Sequence, residues 1–438
     1  MRAARLLEKA AALACLAIFF SCVSSYFVVH GQEGTRLAAV RFTGLERFSE
    51  AQVSRATGLI VGEAVAREQL GAAANRLSHS GAFDNVSFRY TTDNNQLVVE
   101  FQVTETRHLL PCRFDNFVWF SDSQLDETLR ARVAFYAGAI PETGSTVDDV
   151  RAALRELIHS NGIPGDVDAV PFATALGQTV SAMSFAVKGV SLPIRTVEFP
   201  GAVGVSPGDL RAASSQMMGR DYSISSVSAF ASTGLISLYR QRGYLRANFA
   251  GPHADILNRN GDGSVQEIAV TLSVEEGPQF FWGKEEWSGN QQFTAADLNH
   301  LLGMQPNEIA NRLKIDAGIA AVKQAYGRRG FIDAAVKSIA KLDEGTRLAS
   351  YNFAVTEGVQ YHLSAVHFDG IADKAALALV KKWSLKSGDI FDAAYPADFM
   401  KQIAPQTLHD LGVAKASYEI KPQLDTQNAS VDLHIVLH

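Results

Sequence analysis

Cysteine is scarce in this sequence: three in 438 residues, with Cys15 and Cys22 both near the start. Arg2, Arg5 and Lys9 form a basic opening, and an apolar run follows from Ala10 to Val29. Residues 1–31 therefore read as a secretory signal peptide cut near Gly31, with an uncleaved membrane anchor as the alternative. Neither early cysteine has a lipoprotein context. Without the leader only Cys112 remains, so no internal disulfide can form; Cys112 reads as a small buried hydrophobe, not a nucleophile. Blocks of one charge are also lacking. Losing Arg2, Arg5, Lys9 and Glu8 takes the net charge from −6 to −8, and a mildly acidic body without a basic block is poor material for nucleic acid. No second apolar run is long enough to span a bilayer as a helix.

Signatures of chemistry are missing too. The eleven histidines show no paired metal spacing; His362 and His367 would fall on opposite faces of a strand, so neither is read as a ligand. There is no nucleophile elbow, phosphate loop or HExxH helix. Asn258 to Val265 opens like a calcium loop but puts Ala269 where a bidentate glutamate is required, and reads as a hairpin turn. The expectation is a protein that is not an enzyme, with no cofactor and no metal.

What the chain does have is a repeat. Ile315, Ile319, Val322 and Tyr326 make one apolar stripe at helical spacing. Arg328 and Arg329 follow in the last turn, where cations suit the helix dipole. Gly330 then predicts a left-handed stop, and Phe331, Ala334 and Val336 lead into a strand. The same phrase recurs at Gly81, Gly162, Gly243 and Gly412, separated by 81, 81, 87 and 82 residues. Such regularity marks an array of small modules.

Each module has one grammar. In the fourth, Trp282 to Trp287 form a strand ending near Gly289. Thr294 predicts the N-cap of a short helix closed by Gly303. The striped helix comes next, then a strand from Ala334 to Ile339, a turn at Asp343-Glu344-Gly345, and a last strand alternating through Tyr351, Phe353 and Val355. The order is strand, helix, helix, strand, strand. The economical packing is α+β, a tandem array of five βααββ modules, each a three-stranded mixed sheet with two helices on one face. The boundaries are 36–106, 107–189, 190–277, 278–358 and 359–438. The second module lacks the closing acidic residue, and Pro405 should kink the long helix of the fifth. Phe280, Phe281, Trp282 and Trp287 are expected to fill a module core and junction. Arg240, Arg242, Arg246, Arg328 and Arg329 are expected at solvated helix ends.

The grammar resembles the POTRA domain, the polypeptide-transport-associated repeat of the BamA-type outer-membrane assembly family, over nearly all of residues 37–438. The matching features are the first strand ending in glycine (Gly44, Gly289, Gly370), the helix-end glycine with its aromatic (Gly243-Tyr244, Gly330-Phe331), and the Glu-Gly close (Glu276-Gly277, Glu357-Gly358). The resemblance implies that the strand after the long helix is an open edge and that unfolded outer-membrane or secreted polypeptides add to it by β-augmentation. The corresponding segments carry Val86, Phe88 and Tyr90; Arg246 and Phe249; Ala334, Val336 and Ser338; and Ala416 and Tyr418. It also implies residence in the periplasm at the outer membrane. Family members usually end in a membrane β-barrel, and the fifth module reaches His438, so a separate membrane β-barrel partner is expected. The alternative function is a periplasmic structural scaffold that binds folded envelope partners.

Overall fold

The computed structural model describes residues 35–173, 179–260, 265–413 and 417–438; the leader lies outside them. The described chain forms two compact units. The first holds the described residues up to Leu110 together with Arg130–Val150; the second holds Pro111–Leu129 and Arg151–His438.

In the first unit, β1 (Thr35–Thr43) leads to α1 (Glu50–Thr57), the short β2 (Ala64–Val65), α2 (Arg67–His79) and the hairpin β3 (Phe83–Asp93) and β4 (Gln96–Glu105). The sheet order is β2-β1-β4-β3. β4 is central, parallel to β1 and antiparallel to β3. Local chemistry sets these limits. Ser49 and Gln52 close a capping box on α1, and Gly58 ends it left-handed. Asn94 and Asn95 both take positive φ, as a two-residue hairpin turn demands. Strict alternation buries Leu97, Val99, Phe101 and Val103 of β4 against Val53, Leu70 and Leu77 of the helices. Each such side chain contributes roughly 1.5–3 kcal/mol.

β5 (Leu109–Phe114), α3 (Asp122–Arg132), β6 (Ala139–Pro141) and α4 (Ser145–Ser160) follow in sequence. In the second unit β8 (Ala182–Lys188) lies between β5, parallel to it, and the antiparallel β7 (Asp166–Phe172). Next come β9 (Ile194–Glu198), α5 (Pro207–Ser214), α6 (Ile224–Phe230), a π-turn at Ala231–Leu235 and α7 (Ile236–Gln241). β10 (Asn248–Phe249), β11 (His253–Arg259), β12 (Val265–Thr271) and β13 (Val274–Glu275) complete that stretch, with sheet order β11-β12-β9. β14 (Phe281–Ser288), α8 (Ala295–Leu302), α9 (Arg312–Arg328), β15 (Ala335–Asp343) and β16 (Leu348–Thr356) give the order β14-β16-β15. β17 (His362–Asp369), α10 (Asp373–Lys382), α11 (Tyr395–Gln402), α12 (Ala404–Asp410), β18 (Tyr418–Asp425) and β19 (Ser430–Leu437) give β17-β19-β18. The fold is thus α+β, a tandem series of mixed sheets covered by helices.

Some expectations need correcting. The long helix at Pro405 is two helices, α11 and α12, meeting at Ile403, because proline cannot donate into the preceding turn. Arg246 and Phe249 are not on the outer strand of the three-stranded sheet β11-β12-β9. The turn after Gly243 continues through Arg246, and Phe249 pairs with Val274 in the two-residue β10–β13 ladder. The outer strand there is β11, which starts only after Pro252. The segment Asn258 to Val265 joins antiparallel β11 and β12, but residues 261–264 lie outside the described ones.

The aromatics fill cores. Phe280 and Trp282 are buried, Trp282 stacks on Tyr351 at 5.0 Å, and Trp287 stacks on Phe353 at 4.4 Å. The arginines form no common stripe: Arg242 pairs with Asp209, Arg246 with Glu344, Arg328 with Asp392 and Asp398, and Arg329 lies over the Phe293 ring.

Helix-end glycines also serve as joints within the second unit. The Gly243 carbonyl accepts from Phe280 N–H at 2.8 Å, and the Gly330 carbonyl accepts from Tyr361 N–H at 2.9 Å. Gln279 and Gln360 donate side-chain N–H groups to the carbonyls of Arg242 and Arg329 at 2.8 and 2.9 Å. A Cβ on Gly243 would sit 2.6 Å from the Phe280 carbonyl oxygen, and one on Gly330 would sit 2.7 Å from that of Tyr361.

Candidate functional site: the outer strands

Each mixed sheet has the same outer member, the strand after the second helix, paired on one side only among the described residues: β3, β7, β11, β15 and β18. The hydrogen-bond phase of three of them is fixed by the central strand. Arg36 N–H donates to Asn95 O at 3.2 Å, Phe281 N–H to Arg347 O at 2.9 Å, and His362 N–H to Ala429 O at 2.9 Å. Those carbonyls face the first strand of their sheets, so the next residues, Gln96, Leu348 and Ser430, face the outer strand. Their partners Asp93, Asp343 and Asp425 then sit at bonded positions, and the alternate residues turn N–H and C=O outward. His438 N–H donating to Ser417 O at 2.9 Å gives the same phase for β18.

The outward positions are Val86, Phe88, Tyr90 and Thr92 on β3, and Val336, Ser338, Ala340 and Leu342 on β15. On β18 they are Tyr418, Ile420, Pro422 and Leu424. Val86, Phe88, Tyr90, Val336, Ser338 and Tyr418 from the sequence reading therefore share one backbone phase. Ala334 lies just ahead of β15, and Ala416 is outside the described residues. Sequence reasoning named no segment on β7 and missed β11. The run His253 to Leu257 after Gly251-Pro252 was the available signal.

Each outer strand also exposes one large apolar side chain: Tyr90 at 42%, Val170 at 52%, Leu257 at 47%, Ile339 at 58% and Leu424 at 39%. Proline at an outward position of β18 removes a donor without breaking the sheet's own ladder, a known way to blunt an edge.

The acidic residue that closes a module has a structural task. Glu105, whose side chain is 1% exposed, accepts N–H groups from Glu46 at 2.9 Å, Arg47 at 3.0 Å and Phe48 at 3.2 Å, and the Arg47 Nε at 2.9 Å. Burial alone would raise its pKa; the three N–H groups and the guanidinium outweigh burial and hold it below the usual carboxylate value. Glu276 accepts from Val203 and Gly204 N–H, and Glu357 from Gln291 and Gln292 N–H and from the Tyr326 hydroxyl at 2.9 Å. In each case the end of the last strand fastens the loop after the first. Where the acid is missing, Asn116 does this from the other side, donating to Val187 O at 3.0 Å and accepting from its N–H at 2.7 Å. None of these carboxylates is free for chemistry. Burial, with the Asp126 carboxylate adding, pushes the Cys112 thiol up to about 12, far from a reactive thiolate.

Among the described residues, no helix is long and apolar enough to cross a membrane. Residues 35–106 and 281–358 match the family profile POTRA, described as surface antigen variable number repeat. A Treponema pallidum (strain Nichols) protein described as an outer membrane protein assembly factor is 24% identical over 167 residues. The match covers 38% of this chain and 20% of that protein, so the chain spans about a fifth of the length of this relative. Among solved structures, POTRA3-5 of Haemophilus influenzae BamA is similar at 19% identity, covering 56% of this chain and 96% of that one with a TM-score of 0.42. The N-terminal domain of Omp85 from Thermosynechococcus elongatus is similar at 13% identity, covering 73% and 96% with a TM-score of 0.20. From the profile matches and the mixed-sheet fold, the chain carries POTRA domains, at residues 35–106 and 281–358.

Proposed function

We propose that the chain is an exported array of five POTRA-type modules, bounded at 36–106, 107–189, 190–277, 278–358 and 359–438. It works in the periplasm at the outer membrane, in outer-membrane protein assembly or secretion. Its outer strands dock unfolded polypeptides by β-augmentation, without catalysis, for delivery to a membrane β-barrel. The POTRA matches and the description of the Treponema relative support the setting.

One observation carries the mechanism. Each outer strand presents an unpaired edge beside a single exposed apolar side chain. Backbone groups supply affinity that tolerates any sequence, and the apolar side chain favours a guest with alternating hydrophobic residues. Photo-crosslinking side chains placed at Tyr90, Leu257 and Ile339 should capture unfolded outer-membrane polypeptides in cells. A crosslinker at Leu433, buried under the helices of the last sheet, should not. Capture of folded proteins alone from the three edge positions would overturn the docking role in favour of a scaffold.

A further inference from the structure

The last sheet carries a side-chain cluster that docking does not use. Val431, Leu433, Ile435 and Leu437 of β19 are buried under the helices, so the alternation puts Asp432 and His434 on the open face. On β17, Phe368 is buried and His367 and Asp369 share that open face. The two strands run parallel with His367 directly beside His434, and the rings stack at 4.7 Å and 16°. Ala365 stands opposite Asp432, and its short side chain leaves room for the His367 ring to reach that carboxylate. His367 Nε2 lies 3.0 Å from Asp432 Oδ1, which is buried and accepts no hydrogen bond. One nitrogen or oxygen from each of His367, Asp432 and His434 lies within 4.8 Å of the others.

We propose that His367, His434 and Asp432 form a binding site for a zinc-type divalent transition ion. Two imidazoles and one carboxylate are a ligand set that such ions take, with water in the fourth position. The second shell is already built. His434 Nδ1 lies 2.8 Å from Asp369 Oδ2, which fixes that nitrogen as the donor and presents Nε2 to an ion. This is the carboxylate–histidine arrangement that orients metal ligands. Bonds of about 2.0–2.1 Å place tetrahedral ligand atoms ~3.4 Å apart, so atoms that now lie within 4.8 Å of one another draw closer on binding. On the neighbouring strand, Lys421 stands opposite His434 but its ammonium pairs with Glu419 at 2.8 Å. A bound ion satisfies the orphaned Asp432 oxygen and staples the first strand of the sheet to the last.

The test is calorimetric titration of the untagged full chain with zinc chloride at neutral pH, alongside cobalt(II) absorption. One ion per chain is expected, with a four-coordinate cobalt spectrum. His367→Asn and His434→Asn should each lower affinity at least tenfold, and Asp369→Asn should lower it about tenfold or more at unchanged stoichiometry. All three positions face solvent at least in part, so the zinc-free melting temperature should stay near that of the parent and show that the variants fold. Absence of saturable one-to-one binding, or binding unchanged in the His367→Asn, His434→Asn double variant, would overturn the proposal.

Discussion

The backbone phase of the outer strands predicts that neighbouring residues of β15 respond oppositely to proline. Ile339 stands at a bonded position opposite Asn352, and Ser338 at an outward position opposite Phe353. Ile339→Pro removes a ladder bond and strands the Asn352 carbonyl inside the sheet. An abandoned partner costs about 1–3 kcal/mol. With an m-value of about 2 kcal/mol per molar urea, the unfolding midpoint should fall by roughly 0.5–1.5 M. The lost side chain adds little, being 58% exposed. Ser338→Pro removes an N–H that the sheet does not use, so its midpoint should move by less than half as much. Pro422 already occupies an outward position of β18, between bonded Lys421 and Gln423. Binding should behave the other way. Ser338→Pro deletes one of the outward donors of β15, and one net hydrogen bond of about 1 kcal/mol corresponds to roughly fivefold weaker docking of an unfolded guest on that strand. Urea unfolding and titration with an unfolded outer-membrane polypeptide read the two effects separately. Equal destabilisation by the two prolines would refute the assigned phase.

Two further outcomes follow from contacts described above. Glu105→Gln should destabilise the first sheet by about 1.5–3 kcal/mol, the worth of hydrogen bonds to a charged acceptor. Since the folded pKa of Glu105 is lowered, its contribution is present above the unfolded value of about 4.3 and is lost as pH falls through the folded value. The gap between the two proteins in urea midpoint should therefore shrink on acidification below about pH 4. Gly330→Ala should cost more than Gly412→Ala. Both residues have positive φ, worth about 1–2 kcal/mol against alanine, but a Cβ on Gly330 meets the Tyr361 carbonyl while one on Gly412 meets nothing within 4 Å among the described residues. Differential scanning calorimetry of the two variants checks that order.

Local signals were legible because the physics behind them is local. The cap at Thr294, the alternation of β16, and the glycine stop at Gly330 all act within a few residues. What escaped was set by partners distant in the chain. His367 and His434 have no metal spacing in sequence, and only the parallel pairing of β17 with β19 brings them side by side. The clamp at Glu105 needs the loop at Glu46 to Phe48. The outer strand β11 was misplaced onto Arg246 and Phe249 because a turn and the short β10 intervene between Gly243 and β11, whereas β3 starts almost directly after Gly81. Trp287 was expected in a core or junction, but its stacking partner Phe353 comes from the parallel pairing of β14 with β16.

In the sheets of β1, β14 and β17 the opening strand takes its parallel neighbour from the closing hairpin: Phe42 beside Phe101, Trp287 beside Phe353, Phe368 beside Ile435. A chain that emerges amino end first, from a ribosome or through a pore, cannot seat that strand until the whole module has appeared. Until then its apolar side lies bare, and each unit must wait, open and adhesive, for its own last ten residues. Domains proposed to host unfinished proteins thus pass, one after another, through the same unfinished condition themselves.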